Sequence, residues 1–329
     1  MVPGESVAPG GTWPALPWRE WEPTISTLHM WTQIVGKVRM ALAPPRNHWW
    51  HVPLYLSSRG LTTSAIPWQD TSFQVDFDFV EHRLRVTDGN PGAFTMALGP
   101  ISVARFYRDY RDFMAGLAGR GIDVRISTRP VEVQEAIRFE ADEQHAAYEP
   151  GHVASLWQAL LRADRVMKTF QSGFVGKASP VHLFWGGFDL TTSRYSGRPA
   201  PLHAGGIPNC PDWVMQESAS REEIVVGWWP LADAPGPAFF AYTYPEPEGY
   251  RAAAVRPTGA YFDGGFGEFL LPCESLADAP NPDAAVLDFF QSTYDAGADL
   301  AGWDRAALEP SVHPGRPPRR PWSTLPAPG

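Results

Sequence analysis

A short tract of this chain occurs twice, in the same order. Val35-Gly36-Lys37, an aromatic-rich stretch and Leu61-Thr62-Thr63-Ser64 return as Val175-Gly176-Lys177, a second aromatic-rich stretch and Leu190-Thr191-Thr192-Ser193. Self-similarity on this scale signals duplicated units, each with an apolar face that needs the other. A single four-residue identity can arise by accident in 329 residues, so collinearity carries the weight. Two further pairs extend it. Phe73–Phe79 and Ala238–Tyr244 both alternate as strands, in the loosest register of the set. A helical pattern of Val103, Phe106, Tyr107, Asp112, Leu117, Ala118 and Gly119 meets Val286, Phe289, Phe290, Asp295, Leu300, Ala301 and Gly302, with Tyr107/Phe290 the one non-identical pair. The second copy is longer, and its main insertion is Ser196 to Pro237, dense in Gly, Pro and Trp. Long irregular segments inside compact domains are often lids or binding loops, with a tolerated surface loop as the plain alternative.

The periodicities predict a helix from Trp18 or Pro23 to Leu42, then strands near 51–57, 62–66, 73–80, 83–87 and 94–98. Ser102 is placed to cap a helix ending at Gly121, and a short strand over 122–126 closes the unit. The second unit reads as a helix over 152–173, strands near 181–188, 190–194, 224–228, 239–244, 259–262 and 268–271, and a helix over 282–301. The expected fold class is α+β: two tandem, pseudo-twofold-related helix, antiparallel-sheet, helix units packed as one compact body. The first unit spans 12–127, a linker 128–151, and the second unit 152–309 with its 196–237 insert. Residues 1–11 and 310–329, rich in Pro, Gly and Arg, are expected to be disordered tails.

A net charge of −9 argues against non-specific nucleic-acid binding, which needs a basic face to release counterions. No apolar run is long enough to span a bilayer, and no secretory leader pattern opens the chain, so a soluble cytoplasmic protein is expected. Cys210 and Cys273 show no metal or redox spacing and read as free thiols. The 14 tryptophans read first as core.

His29, Gln33 and Lys37 fall four apart and line one stripe of the first helix. That reads as a solvated polar face, unless Lys37 and its repeat counterpart Lys177 converge on an anionic ligand or, equally, serve as buried polar caps for the opposite half. His48 and His51 could share a metal only with His48 in a loop, since on a strand they point to opposite faces. Otherwise His51 shares a strand face with Pro53 and Tyr55, and the repeat aligns Pro53 with His182 and Tyr55 with Phe184. His51 and His182 are therefore the general-base candidates, with packed core histidine as the bland alternative. Asp189 could orient His182, or pair with Arg194 or Lys177; Arg59 and Arg194 end their strand pairs. Asp76 and Asp78 resemble a solvated sheet face. No nucleophile elbow, phosphate loop, dinucleotide fingerprint or zinc quartet is present, so no cofactor is indicated.

Several longer tracts carry a resemblance. Leu28-His29, Gln33 to Lys37, Asn47-His48-Trp49-Trp50-His51-Val52-Pro53-Leu54-Tyr55, Gly176 to Gly186, Gly205-Gly206-Ile207-Pro208-Asn209 and Tyr244-Pro245-Glu246-Pro247 resemble a bacterial family known as domain of unknown function 5996. The likeness covers about 13–309, and it implies membership without an activity to carry over.

Three functions follow as expectations. The first is a site for a small, anionic ligand between the units, built from His29, Gln33, Lys37, Arg59, Lys177, Trp185, Arg194 and His203 and roofed by the insert. The second is an enzyme with His51 or His182 as base and Asp189 in support, with or without a metal at His48 and His203. The third is a protein-interaction scaffold, which requires a broad exposed apolar surface. Neither a nucleic acid nor a membrane is expected as partner, and oligomeric state is left open.

Overall fold

A computed structural model describes residues 13, 18–89, 94–116, 122–230 and 236–310. The first helix, α1 (Trp18–Leu42), tolerates Pro23 in its opening turns and is buried on nearly every side from Trp21 to Arg39. Such a helix is a core strut. Its Gly36 matters because a Cβ there would stand 2.2 Å from Trp185 Nε1, so the missing side chain lets the indole lie against the helix.

Strands β1 (Tyr55–Leu56), β2 (Gly60–Thr62), β3 (Ile66–Trp68), β4 (Thr71–Asp78), β5 (Arg83–Thr87) and β6 (Phe94–Ala97) follow. They form an antiparallel sheet in the order β1-β2-β4-β5-β6, with β3 pairing β4 from the side. Helix α2 (Val103–Ala115) begins where Ser102 Oγ accepts the Arg105 amide, the expected cap. It stops at Gly116; the expected extension through Leu117, Ala118 and Gly119 to Gly121 lies outside the described residues. No strand forms over 122–126. Helix α3 (Pro150–Ser172) then leads into β7 (His182–Phe184), β8 (Asp189–Pro199), α4 (Asp212–Ser218), β9 (Arg221–Trp229), β10 (Ala238–Tyr244), β11 (Tyr261–Asp263), β12 (Glu268–Pro272), α5 (Pro282–Leu300) and α6 (Arg305–Leu308). This second antiparallel sheet runs β11-β12-β10-β9-β8-β7. Two antiparallel sheets with helices make a mixed α+β body, as expected.

The sheets meet at one antiparallel bridge, where Leu54 and Leu183 exchange both main-chain hydrogen bonds at 2.9 and 2.8 Å. One continuous core joins α1, α3, α5 and the inner faces of both sheets. The linker 128–151 is clamped onto α1: Thr24 and Thr27 hydroxyls accept the Glu149 and Ala147 amides.

Four sequence expectations change. Val35–Lys37 lies inside α1, whereas Val175–Lys177 lies beyond the end of α3 in extended chain, so the two lysines do not occupy the same structural point. Phe73–Phe79 belongs to β4, beside β2, but Ala238–Tyr244 is β10, with β9 between it and β8, so those tracts hold different sheet positions. His51 sits in a turn; pairing starts only at Leu54, after Pro53, which has no N–H to donate. The 196–237 insert is not one loop: β8 runs on to Pro199 and 221–229 is the interior strand β9, which leaves 200–220 as the excursion proper. The two terminal tails lie outside the described residues, apart from Pro310.

Candidate functional site

Helices α3 and α5 cover one face of the second sheet. The other face floors a cleft of about 890 Å³. Strand alternation decides which side chains enter it. On β8 these are Asp189, Thr191, Ser193 and Tyr195, while Leu190, Thr192 and Arg194 face the helices. On β9, Glu223, Val225 and Trp229 face the cleft, and on β10, Phe240, Tyr242 and Tyr244. Val225, Phe240 and Leu270 form a small apolar cluster on this floor, flanked by Trp229 and Tyr242 and separate from the main core. Gly227 makes this possible, because a Cβ there would lie 2.2 Å from the Phe240 ring. Trp229 stacks on the other side of Phe240, with centroids 4.6 Å apart.

The walls come from elsewhere. Trp18, Trp21, Glu22 and Ser26 of α1, with His48 and Trp50, supply one side; His203, Ile207, Met215 and Ser218 of the 200–220 excursion supply another. Glu132 enters from the linker, where its amide donates to Pro208 O at 2.7 Å and Asn209 Nδ2 donates to Val133 O at 3.0 Å. Backbone strain gathers at these contacts. His48, Trp49, Glu132, Phe188 and Asn209 all hold left-handed φ between 54° and 60°, a conformation costing about 1 kcal/mol or more for a residue with a Cβ.

Five carboxyls border the cleft, Glu22 on the α1 wall and four others: Glu132, Asp189, Glu223 and Glu268. Burial pushes Glu223 up to about 7; Glu132, whose residue is exposed overall, is raised in the same direction by desolvation of its carboxyl between the linker and Gly187. Burial pushes Asp189 and Glu268 up to about 8, with Glu132 repelling charge on Asp189, and Asp189 repelling charge on Glu268. None of the four is ion-paired among the described residues. Glu223 is hydrogen-bonded by Tyr195 and Ser193. Glu268 Oε2 is shut off from solvent without a hydrogen-bond partner. Asp189 and Glu132 converge beside Gly187, their oxygens 2.7 and 3.2 Å from where a Cβ would stand.

At the Tyr195 end, Lys177 Nζ donates to His48 Nε2 at 2.7 Å and lies over the rings of Trp50 and Tyr195. His48 Nδ1 donates to Ser218 O at 2.7 Å, which ties the excursion to the first half of the chain. Burial, ahead of the charge on Lys177, lowers the pKa of His48; burial likewise lowers that of Lys177.

Of the residues singled out from sequence, His182, Asp189 and His203 line the cleft, and Lys177 backs its edge through His48 and Tyr195. His182 is buried, hydrogen-bonded to Pro180 O, and held neutral by burial, which lowers its pKa to about 4. The others are absorbed by the fold. His29 Nε2 lies 3.0 and 2.8 Å from Trp185 O and Gly186 O, and Gln33 clasps Val131 through both its donor and its acceptor. Lys37 Nζ caps Ser127 O and Arg129 O at 3.1 and 2.5 Å, and burial lowers its pKa to about 8. Arg194 lies on the helix side of the sheet, its guanidinium 3.5 Å from the Phe170 ring centroid. Arg59 pairs with Asp78 on the other sheet at 2.7 Å. Trp185 donates to Val52 O, and His51 accepts the Arg46 amide away from the cleft. Asp189 therefore orients neither His182 nor a cation, contrary to the three partners expected for it.

Sequence reasoning missed Glu132, Glu223, Glu268, Tyr195 and Tyr242, having followed cations and imidazoles. A signal was present in β9, where Glu223 stands beside Ile224-Val225-Val226-Gly227-Trp228-Trp229, a run apolar on both faces. A carboxylate at the head of a doubly covered strand has no solvent to face. Among the described residues, no three His, Cys, Asp or Glu side chains converge as metal ligands, His48 and His203 included. No helix among them is long and apolar enough to cross a membrane.

The family model for DUF5996, a family of unknown function, matches residues 13–310. The chain belongs to that family. No curated protein and no solved structure matches it. The match ends at Pro310, the last described residue, so every cleft-lining side chain lies within it.

Proposed function

We propose that this DUF5996 chain binds a small organic cation in the cleft over its second sheet. The observation that carries the reading is four carboxyls around an aromatic floor with no ion-pairing partner of their own. Burying a carboxylate without a partner is costly, and a bound cation removes that cost while the aromatic faces add cation–π attraction. The ligand charge is thus opposite to that expected from the lysines, because Lys37 and Arg194 are spent on carbonyls and rings inside the core. Thermal-shift titration of the full chain against matched organic cations and organic anions tests this. Stabilisation by cations alone is expected; stabilisation by anions alone would overturn it. Asp189→Asn should weaken cation binding at least about tenfold, the scale of one charge-assisted contact.

An acid–base enzyme at the same cleft is the second reading. Carboxyls titrating near neutrality and strained backbone at Glu132 and His48 favour it. Glu223, hydrogen-bonded by Tyr195, is then the acid–base group in preference to His182, which at about 4 is a weak base. A Glu223→Gln variant that turns over substrate as fast as the parent would remove this reading. The interaction-scaffold reading has less support, because large exposed apolar side chains such as Val80, Val175, Leu202 and Leu300 come from separate elements.

The internal duplication remains our reading of the chain's origin. The antiparallel Leu54–Leu183 bridge supports it, since the sequence correspondence equates those two positions. The differing settings of the two Val-Gly-Lys tripeptides stand against it.

A further inference from the structure

The four carboxyls do not gather at one point, and their spacing narrows the ligand. Glu223 lies opposite Tyr195 of β8 and Tyr244 of β10. Asp189 is at the far end of β8, six residues from Tyr195, which by ideal strand geometry puts the Asp189 and Glu223 backbones roughly 20 Å apart. Glu268 lies two strands across from Glu223 and about one side-chain step along, roughly 12 Å away on the same geometry. Between them lies the apolar floor of Val225, Phe240 and Leu270, edged by Trp229 and Tyr242. A compact cation satisfies one carboxyl, or the Asp189–Glu132 pair, and leaves the rest buried without a counter-charge. Glu268 Oε2, enclosed and without a partner, is the clearest group left over.

Resting on the cationic-ligand reading, we propose that the ligand is a linear polyamine, with ammonium groups at Glu223 and Glu268, roughly 12 Å apart, and its methylene segments lying on the Val225–Phe240–Leu270 floor. Alternating charge and hydrocarbon along the ligand matches alternating carboxyl and apolar surface along the cleft. Primary and secondary ammonium groups bring the donors that the carboxyls lack. The methylenes bury against aromatic faces with little polar desolvation.

Isothermal titration calorimetry of the full chain with spermidine, butylamine and choline, at neutral pH and moderate salt, tests this. Spermidine should bind at least about tenfold more tightly than either monocation, since each further ion-paired ammonium contributes a charge-assisted contact. Glu268→Gln should lower spermidine affinity several-fold and leave butylamine binding unchanged. Asp76→Asn, on the outer face of the first sheet, should leave both unchanged. Circular dichroism confirms that each variant is folded. Choline or butylamine binding as tightly as spermidine would overturn the polyamine assignment and leave the cation reading standing. An equal loss of spermidine affinity in Asp76→Asn would also overturn it, by showing general attraction to an acidic surface. Failure of all three cations to bind would overturn both.

Discussion

The outer faces of the two sheets solve the same problem in opposite ways. On the first sheet the polar side chains are paired with each other. Arg59 reaches Asp78 at 2.7 Å and Glu81 at 3.1 Å, Arg85 stands 3.6 Å from Glu81, and Gln74 donates to Asp76 at 3.0 Å. Asp78 is itself buried, which works against its charge, but Arg59 and the amides of Val80 and Glu81 outweigh that and hold its carboxyl below its ordinary value. Around the second sheet's cleft Glu132, Asp189, Glu223 and Glu268 form no ion pair among the described residues; desolvation raises all four, and only Glu223 has a cation, Lys177, near enough to oppose it. A paired carboxylate serves the fold. An unpaired one is open to a charge that arrives from outside, the role of the proposed cation.

The sharpest way to break this contrast is to remove one carboxyl from each face. Asp78→Ala should cost about 3 kcal/mol in urea unfolding, since it strands Arg59 and two amides. Asp189→Asn should cost nothing and gain up to about 1 kcal/mol at pH 8, because a neutral amide replaces a carboxyl that resists ionisation there. Equal losses in both variants would erase the distinction.

The pH dependence comes next. A carboxyl whose folded pKa is raised binds its proton more tightly folded than unfolded, so its contribution is present at low pH and is lost as pH rises through the folded value. Glu223 at about 7, with Asp189 and Glu268 at about 8, therefore make stability fall as pH rises from about 4 to 8, and between about pH 6.5 and 8 no lowered histidine opposes them. The fall in that upper window should be on the order of 2 kcal/mol, read as the urea midpoint, and a saturating cation should flatten it. Between about pH 4 and 6.5 His29 and His182, both lowered to about 4, act the other way and blunt that trend. Stability that rises from pH 6.5 to 8 would contradict the buried, unpaired state of these three carboxyls.

The smallest effect concerns the wall. His48→Ala removes a hydrogen bond to Ser218 O and the acceptor for Lys177, for about 1 kcal/mol. Faster amide exchange confined to 200–220 is the expected signature, with the first sheet unaffected.

Much of the fold was legible because it depends on local periodicity. The bounds of α1, the Ser102 cap and β4, β5 and β6 follow from apolar spacing and turn residues, whereas the expected strand over 62–66 is mostly the link between β2 and β3, and that over 51–57 pairs only at its end. The cleft was only half legible. Asp189, His182 and His203 were found because they are chemically conspicuous, whereas Glu223 and Glu268 become notable only once both faces of β9 and β10 are seen to be covered. The conspicuous cations misled for a related reason. Lys37 and Arg194 look like ligand-seeking charges in sequence, and only packing reveals the carbonyls and rings that occupy them. A repeated tripeptide misled further, since Val-Gly-Lys can end a helix strut or follow one.

The two hydrogen bonds between Leu54 and Leu183 are the main-chain stitch between a wall carrying His48 and Trp50 and a floor carrying Asp189 and Thr191. That seam is backed by the continuous core running through α1, α3 and α5, so wall and floor are held as parts of one body and the width of the cleft is set by packing far from its mouth.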